Sequence, residues 1–436
     1  MDKPSYIYGI DDSPPLRLAL LYGLQLALVM FPIFVTSAIL PGKVLNLSPA
    51  QQVRFLQLIL LSSGIFTMLQ CLWGHRYPVI DGPSTALLLT FLFIAPYGLP
   101  AVQGGEIAGG LLLTGAVFLL KPKRIVAVMT PNVVGVILML VALSLLPYMS
   151  GLMSGAGSSS GDGSAVKFVL SLGLVILMSA MAYRLKGFLK TLWLFAGMLI
   201  GTALFFAVEL PSLKDLLSSS WLSIPPDIIP SKPEFTISAV IAFAVSYVAV
   251  MVNSIGSIQA IGDMTDASRL PGAIPRCLFL NGIGGVFCGL VGIVGTVSYS
   301  MSPGLVLSMR VASRFVFAWC GVLFILASFI PKLAALFALV PPPVVGAALC
   351  TAMAIQLGAA LDIIAGAGIE HRSYYIVGLP VVLGTLVGFI PRDVVNQLPQ
   401  VFRVFLGNGL TFGILCVMFL EHVVMRESPT DKGGKL

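Results

Sequence analysis

Residues 236–260, TISAVIAFAVSYVAVMVNSIGSIQA, form an uncharged run long enough to cross a bilayer, yet they include Asn253, Gly256 and Gln259. About 20 apolar residues span the hydrocarbon as a helix. Comparable runs recur along the whole chain. Of the 436 residues, 57% are apolar and 10% are charged, and the mean hydropathy is +1.00. A soluble domain carries about 25% charged residues. The chain therefore reads as an all-α polytopic membrane protein. Amides and glycines inside such a helix point to something bound there.

The formal charge of +7 does not imply a nucleic-acid partner, because the basic residues are scattered beside apolar runs. The expected partners are membrane lipid and a small-molecule substrate. The six cysteines form no CxxC pair and fall mostly inside apolar segments, as small buried residues rather than metal ligands. The acidic N-terminal segment, MDKPSYIYGIDDSPP, has no cleavable-signal pattern.

Fourteen transmembrane segments are predicted, at 17–40, 52–73, 79–96, 104–121, 124–147, 165–183, 187–208, 234–260, 272–294, 297–313, 315–331, 333–357, 373–390 and 400–420. An even number places both termini on one side. With cytosolic termini, 17 of the 25 basic residues fall inside and 8 outside, which agrees with the positive-inside rule in a multi-pass cell-membrane protein. Residues 149–165 read as a flexible external loop, and 209–233 as an external connection with a short interfacial helix near Trp221. Seven segments precede that connection and seven follow it, the count expected of a 7+7 inverted repeat.

Segments 3 and 10 are poor continuous helices. Pro83 follows Asp81-Gly82, Pro303 follows Met301-Ser302, and proline suits a first helical turn but disrupts an interior. Each segment is predicted to be discontinuous, an extended entrance followed by a half-helix. Two such helix N-termini would turn free N–H groups and positive dipole ends toward a polar or anionic ligand. A kinked crossing is the alternative. Gln25, Ser84, Thr85, Asn253, Ser257, Tyr299, Met301 and Ser302 are the candidate substrate-binding residues. Asn253 and Ser257, four apart, share a helix face. Asn253 and Gln259 have a second reading, as hydrogen-bonded contacts between helices beside Gly256.

Several stretches resemble the nucleobase–ascorbate transporter family, also called nucleobase:cation symporter-2, which includes uracil and xanthine permeases. They are IDGPSTALLLTFLFIAPYGLP, TPNVVGVILMLVALSLLP, NSIGSIQAIGDMT, NGIGGVFCGLVGIVGTVSYSMSPGLVLSMRVASR and VPPPVVGAALCTAMAIQLGAAL, in that order over about residues 15–420. The resemblance implies a 7+7 fold with a core domain of spans 1–4 (17–121) and 8–11 (234–331). The gate domain would comprise spans 5–7 (122–208) and 12–14 (332–421), with terminal tails 1–16 and 422–436 and an external loop 209–233. It also implies a nucleobase-like substrate, an elevator-like movement and a homodimer formed through the gate. Gln25 matches the Gln of a first-span Gln-His pair, with Leu26 in place of the His. Thr85 stands where an aromatic residue is common, and Tyr299 matches an aromatic position.

The site departs from the family pattern. Asn253 stands where an eighth-span Glu is usual, and Met301-Ser302 where a Glu or Gln followed by Asn is usual. Ser257 is the polar position one turn later. An amide does not titrate, so proton or sodium coupling lacks its usual deep carboxylate, and no other cofactor is implied. Asp263 and then Asp81 are the remaining coupling candidates, both expected toward cytosolic ends. Pairing with Arg269, Arg276, Arg310 or Arg314 is the alternative for them. Glu106 is expected at the outer start of span 4, and His75, His371 and His422 in cytosolic loops or ends. A carrier of another small anion, operating as uniporter or exchanger, competes with the nucleobase reading. No HExxH or acyl-transfer constellation suggests an enzyme.

Overall fold

The computed structural model describes residues 6–119, 128–156, 163–185, 192–208, 210, 213–225, 228–398 and 406–425. The basic positions 3, 121, 123, 124, 186, 190, 403, 426, 432 and 435 lie outside them. The described chain is mostly helical. Its helices are α1 (Leu16–Val44), α2 (Pro49–Leu72), α3 (Thr85–Ile94), α4 (Leu99–Leu119), α5 (Pro131–Ser144), α6 (Leu146–Ser154), α7 (Ala165–Arg184), α8 (Trp193–Val208), α9 (Ile237–Met264), α10 (Leu270–Val291), α11 (Ser302–Met309), α12 (Arg314–Ser328), α13 (Pro331–Ala338), α14 (Pro342–Gly366), α15 (His371–Gly388) and α16 (Gly409–Phe419). There are also two five-residue helices, Lys214–Ser218 and Arg392–Asn396, and two three-residue strands, β1 (Asp81–Pro83) between α2 and α3, and β2 (Thr296–Ser298) between α10 and α11.

Among the described residues, eight helical stretches are long and apolar enough to cross a membrane, or nine if α12 and α13 count as one bent span. Those two helices meet at 91°, so residues 331–338 form a separate short helix rather than the start of the predicted twelfth span. The predicted flexible loop at 149–165 is helical through Ser154, where Gly155 takes a left-handed φ of 73° and stops it. The interfacial helix is present as Lys214–Ser218, with Trp221 exposed and the Lys332 ammonium 4.5 Å over its ring.

The chain forms two compact units, Met1–Pro122 with Leu145–Ala352, and Lys123–Ser144 with Met353–Leu436. In the first, α2 packs on α12 and α4 on α10. Each pair meets glycine to glycine. A Cβ on Gly64 would lie 2.6 Å from the Gly321 carbonyl oxygen, and one on Gly110 2.6 Å from that of Gly282. Small residues let backbones approach where lipid offers no hydrophobic drive between helices. In the second unit α5, α15 and α16 pack together, and Met139, Ala360 and Ile364 form a core flanked by Leu138 and Val377. Leu111, Leu112 and Phe118 on α4, and Val166, Val169 and Ile176 on α7, are exposed, as lipid-facing side chains are.

The N-terminal tail is built into the first unit. Tyr8 forms a parallel bridge to Val311, and Ala312 and Arg314 donate to the carbonyls of Tyr8 and Ile10 at 2.9 and 3.0 Å. The Asp11 carboxylate accepts from Arg269 at 2.5 Å and Arg314 at 2.8 Å. These two arginines thus pair with Asp11 and, for Arg269, with Asp266, rather than with Asp263 or Asp81. The Arg269 hydrogen bond, opposed by desolvation and aided by Arg314, holds the Asp11 carboxyl at about 2.

Three outcomes are expected. Gly321→Val should destabilise the α2–α12 contact by about 1–3 kcal/mol, measured as a lower melting temperature in detergent. Tail docking should be fully present above about pH 4 and weaken as pH falls toward about 2, because the Asp11 pKa is depressed in the folded state. Asp11 is half-exposed, so its pairs contribute under about 1 kcal/mol. At neutral pH, Asp11→Asn should speed limited proteolysis of the tail up to about fivefold.

Candidate functional site

Breaking a helix frees backbone groups that hydrocarbon cannot satisfy. Here the two breaks satisfy each other. β1 and β2 pair antiparallel, with Asp81 opposite Ser298, Gly82 opposite Val297 and Pro83 opposite Thr296. The ladder extends at both ends, where Ser84 N–H donates to Gly295 O at 2.8 Å and Tyr299 N–H to Ile80 O at 2.9 Å. Ser302 Oγ accepts from Ile80 N–H at 3.1 Å. The half-helices α3 and α11 therefore start at opposite ends of the strand pair. Ser84 caps α3, its hydroxyl accepting from Leu87 N–H at 3.4 Å, whereas α11 begins after Met301 with no side-chain cap.

Tyr299 braces this sheet. Its hydroxyl donates to Pro83 O at 3.0 Å, and the ring crosses Gly82, where a Cβ would meet the hydroxyl at 2.6 Å. Gly82 is thus required by close approach rather than by a turn.

The structure separates the candidate residues by role. Ser257, Ser302, Ser84 and Tyr299 are buried, with hydroxyls engaged in holding the strands and helix starts. Ser257 Oγ reaches Asn253 O at 2.6 Å and Ser298 O at 2.9 Å, tying α9 to β2. Gln25 is buried on α1. Asn253 and Thr85 are half-buried, and their side chains have no hydrogen-bond partner among the described residues. Gly256, one turn beyond Asn253, is exposed with open space where a side chain would lie, as is Gly304 in the first turn of α11. Met301 is half-buried just before α11. Both α3 and α11 pack against α9.

The acidic groups differ from the sequence expectation. Asp263 is exposed at the end of α9, whereas Asp81 is fully buried in β1. Glu106, expected at the outer edge of its span, is fully buried about 10 Å along α4. Its Oε1 accepts from the Tyr247 hydroxyl at 2.7 Å. His75, expected in a loop, is buried as well. Buried carboxylates therefore exist, although the usual eighth-span position holds an amide. Their burial was hidden because the groups that cover them are distant in sequence.

A buried polar ring lies behind the strand pair. His75 N–H donates to Gln70 Oε1 at 3.4 Å, and Gln70 Nε2 donates to Asn281 Oδ1 at 3.0 Å. Asn281 Nδ2 donates to Ser254 Oγ at 2.6 Å, and that oxygen accepts Ser298 N–H at 3.4 Å. Ser298 Oγ donates to Asp81 Oδ1 at 2.7 Å, and Asp81 Oδ2 lies 3.7 Å from His75 Nε2, closing the circuit. Sequence reasoning did not select Gln70, Ser254, Asn281, Ser298 or His75. The adjacency of Ser254 to Asn253 was the available signal.

Two half-helices starting from a strand pair, within a set of apolar spans, form the broken-span arrangement that membrane transporters use. The sequence model described as "Permease family" matches residues 17–392, and the chain belongs to that family, the nucleobase–ascorbate transporters. It is 25% identical to the uric acid permease PucK of Bacillus subtilis, over 94% of this chain and 96% of the relative. It is 26% identical to the uric acid transporter UacT of Escherichia coli, over 96% and 90%. The transmembrane domain of the cyanobacterial bicarbonate transporter BicA shares the fold at a TM-score of 0.56 and 17% identity, covering 88% of this chain and 99% of that one.

Tyr299→Phe, which keeps the ring but removes the bond to Pro83 O, should lower stability by about 1 kcal/mol. Gly82→Ala should cost more, since the added methyl displaces the ring. Thermal unfolding of the purified protein measures both.

Proposed function

We propose that this permease is a secondary transporter for a nucleobase, an oxidised purine such as urate or xanthine or the pyrimidine uracil. The single observation that carries the reading is the unpartnered Asn253 amide on α9, a helix that packs against α3 and against α11, whose start has no side-chain cap. An amide offers donors and acceptors to the edge of a planar heterocycle. A helix N-terminus favours negative charge, as on an ionised oxidised purine. Thr85 adds a hydroxyl, Met301 an apolar contact, and Gln25, Ser84, Ser257, Tyr299 and Ser302 maintain the surrounding geometry. The names of PucK and UacT support purine cargo. The likeness to BicA supports the fold and gives bicarbonate no preference.

We further propose fourteen spans in a 7+7 inverted repeat. A shift of seven spans sends span 2 to 9 and span 4 to 11. The pairs α2–α12 (spans 2 and 11) and α4–α10 (spans 4 and 9) then exchange, and each is a glycine–glycine contact. β1 and β2 exchange likewise. From the family resemblance come the core (17–121 and 234–331), the gate (122–208 and 332–421), an elevator-like cycle, a homodimer through the gate, and cell-membrane placement with cytosolic termini.

Proteoliposomes containing the protein should take up radiolabelled uric acid, xanthine or uracil saturably. Failure with all three, with protein correctly inserted, overturns the reading. Asn253→Ala should raise the KM for the transported base about tenfold while leaving surface expression unchanged. Unaltered kinetics remove Asn253 from the site.

A further inference from the structure

The ring behind the strands contains two fully buried titratable side chains whose facing atoms lack hydrogen-bond partners, Asp81 Oδ2 and His75 Nε2. The histidine's chemistry can be assigned from its other nitrogen. His75 Nδ1 accepts the Tyr77 backbone N–H at 2.9 Å, so a neutral ring carries its proton on Nε2, facing Asp81. The open basic atom of the pair is therefore Asp81 Oδ2. We propose that Asp81 is the proton-carrying group of this permease, with His75 as its positioning partner. This rests on the transport reading above and names the coupling ion.

The balance is simple. A proton from water adds to Asp81 Oδ2, forming an O–H bond, and the same bond releases it to water later in the cycle. With Asp81 protonated the pair is neutral; without the proton it leaves one negative charge in a buried setting. His75 Nε2–H and the Ser298 hydroxyl face that charge. Exposed Arg76, held at a left-handed φ of 58°, follows His75 directly and places the pair one residue from the surface.

The other groups around the pair do not duplicate this role. On α2, Cys71 Sγ donates to Val79 O at 3.4 Å; on α10, Cys277 Sγ lies 3.3 Å from Ser298 Oγ. Arg314 on α12 donates to Cys71 O at 3.2 Å and pairs with Asp11. The hydroxyls of Tyr77 and Tyr299 are occupied by Asp266 O and Pro83 O.

The link to cargo runs through Ser298. Its hydroxyl holds Asp81, while its carbonyl accepts from Ser257 and its N–H donates to Ser254, the neighbours of Asn253 on α9. Protonation removes a negative charge behind the site that would repel an anionic base. Proton and anion therefore favour each other's binding, and by linkage the effect is reciprocal.

The test uses the full chain in lipid nanodiscs without substrate, then in proteoliposomes. pH-difference infrared spectra should show a protonated-carboxyl signal that vanishes in Asp81→Asn and shifts in His75→Gln and Ser298→Ala. In proteoliposomes, Asp81→Asn should lower pH-gradient-driven accumulation of xanthine or urate by about tenfold or more relative to the exchange the same variant supports. A carboxyl signal that persists in Asp81→Asn, that disappears in Glu106→Gln instead, or that is absent from the wild type overturns the proposal. The infrared result does not depend on cargo. A titrating Asp81 in a protein that moves none of the three bases would overturn the nucleobase reading alone.

Discussion

The structure depends on two interrupted spans pairing their freed backbone groups with each other. In hydrocarbon an unsatisfied N–H or C=O costs several kcal/mol, so neither break is tolerable alone. β1 and β2 meet that requirement with three residue pairs and one extension at each end. Gly82 and Tyr299 then lock the pair from one side, and Ser257 ties it to α9 from another. The open start of α11 and the free amide of Asn253 follow from this arrangement. Both sit on elements that the strand pair positions.

The same arrangement answers the charge question raised by the substitutions. In the proposed site, Asn253 stands where the family resemblance leads one to expect a Glu, so that the proposed cargo-facing surface carries no charge there. Acidity is present one layer deeper, in Asp81 behind β1 and Glu106 beside Tyr247. A carboxylate shielded from the ligand can influence its binding through field and hydrogen bonds without touching it. Asp11 serves a different end, holding the tail to Arg269 before α10 and to Arg314 at the start of α12.

Much of this was legible in the sequence, and the rest was hidden for identifiable reasons. Uncharged runs marked the long apolar helices, Pro83 and Pro303 located the half-helices, and Asn253 stood out as an amide in a charge-free helix. The roles of Ser257, Ser302 and Tyr299 were not legible. A hydroxyl can bind cargo or brace a strand, and only its partner decides which. His75 and Asp81 looked peripheral because burial was inferred from neighbours in sequence, while their cover comes from α10 and β2 some 200 residues later. The second half of helix α6 was read as part of a loop because the stretch that follows it, 154–164, is rich in glycine and serine, yet its Leu152 and Met153 are buried.

Asp81 and its strand partner Ser298 are 217 residues apart. At the usual 5–20 residues per second, synthesis separates them by about 10–40 s. Throughout that interval β1 exists without β2, and the chain holds a strand with nothing to bond. The third segment is therefore a late-folding part of an early-made region. Hydrocarbon offers those backbone groups no substitute partner, so the pairing that lets residues 81–83 rest in the bilayer waits until residues 296–298 have been made.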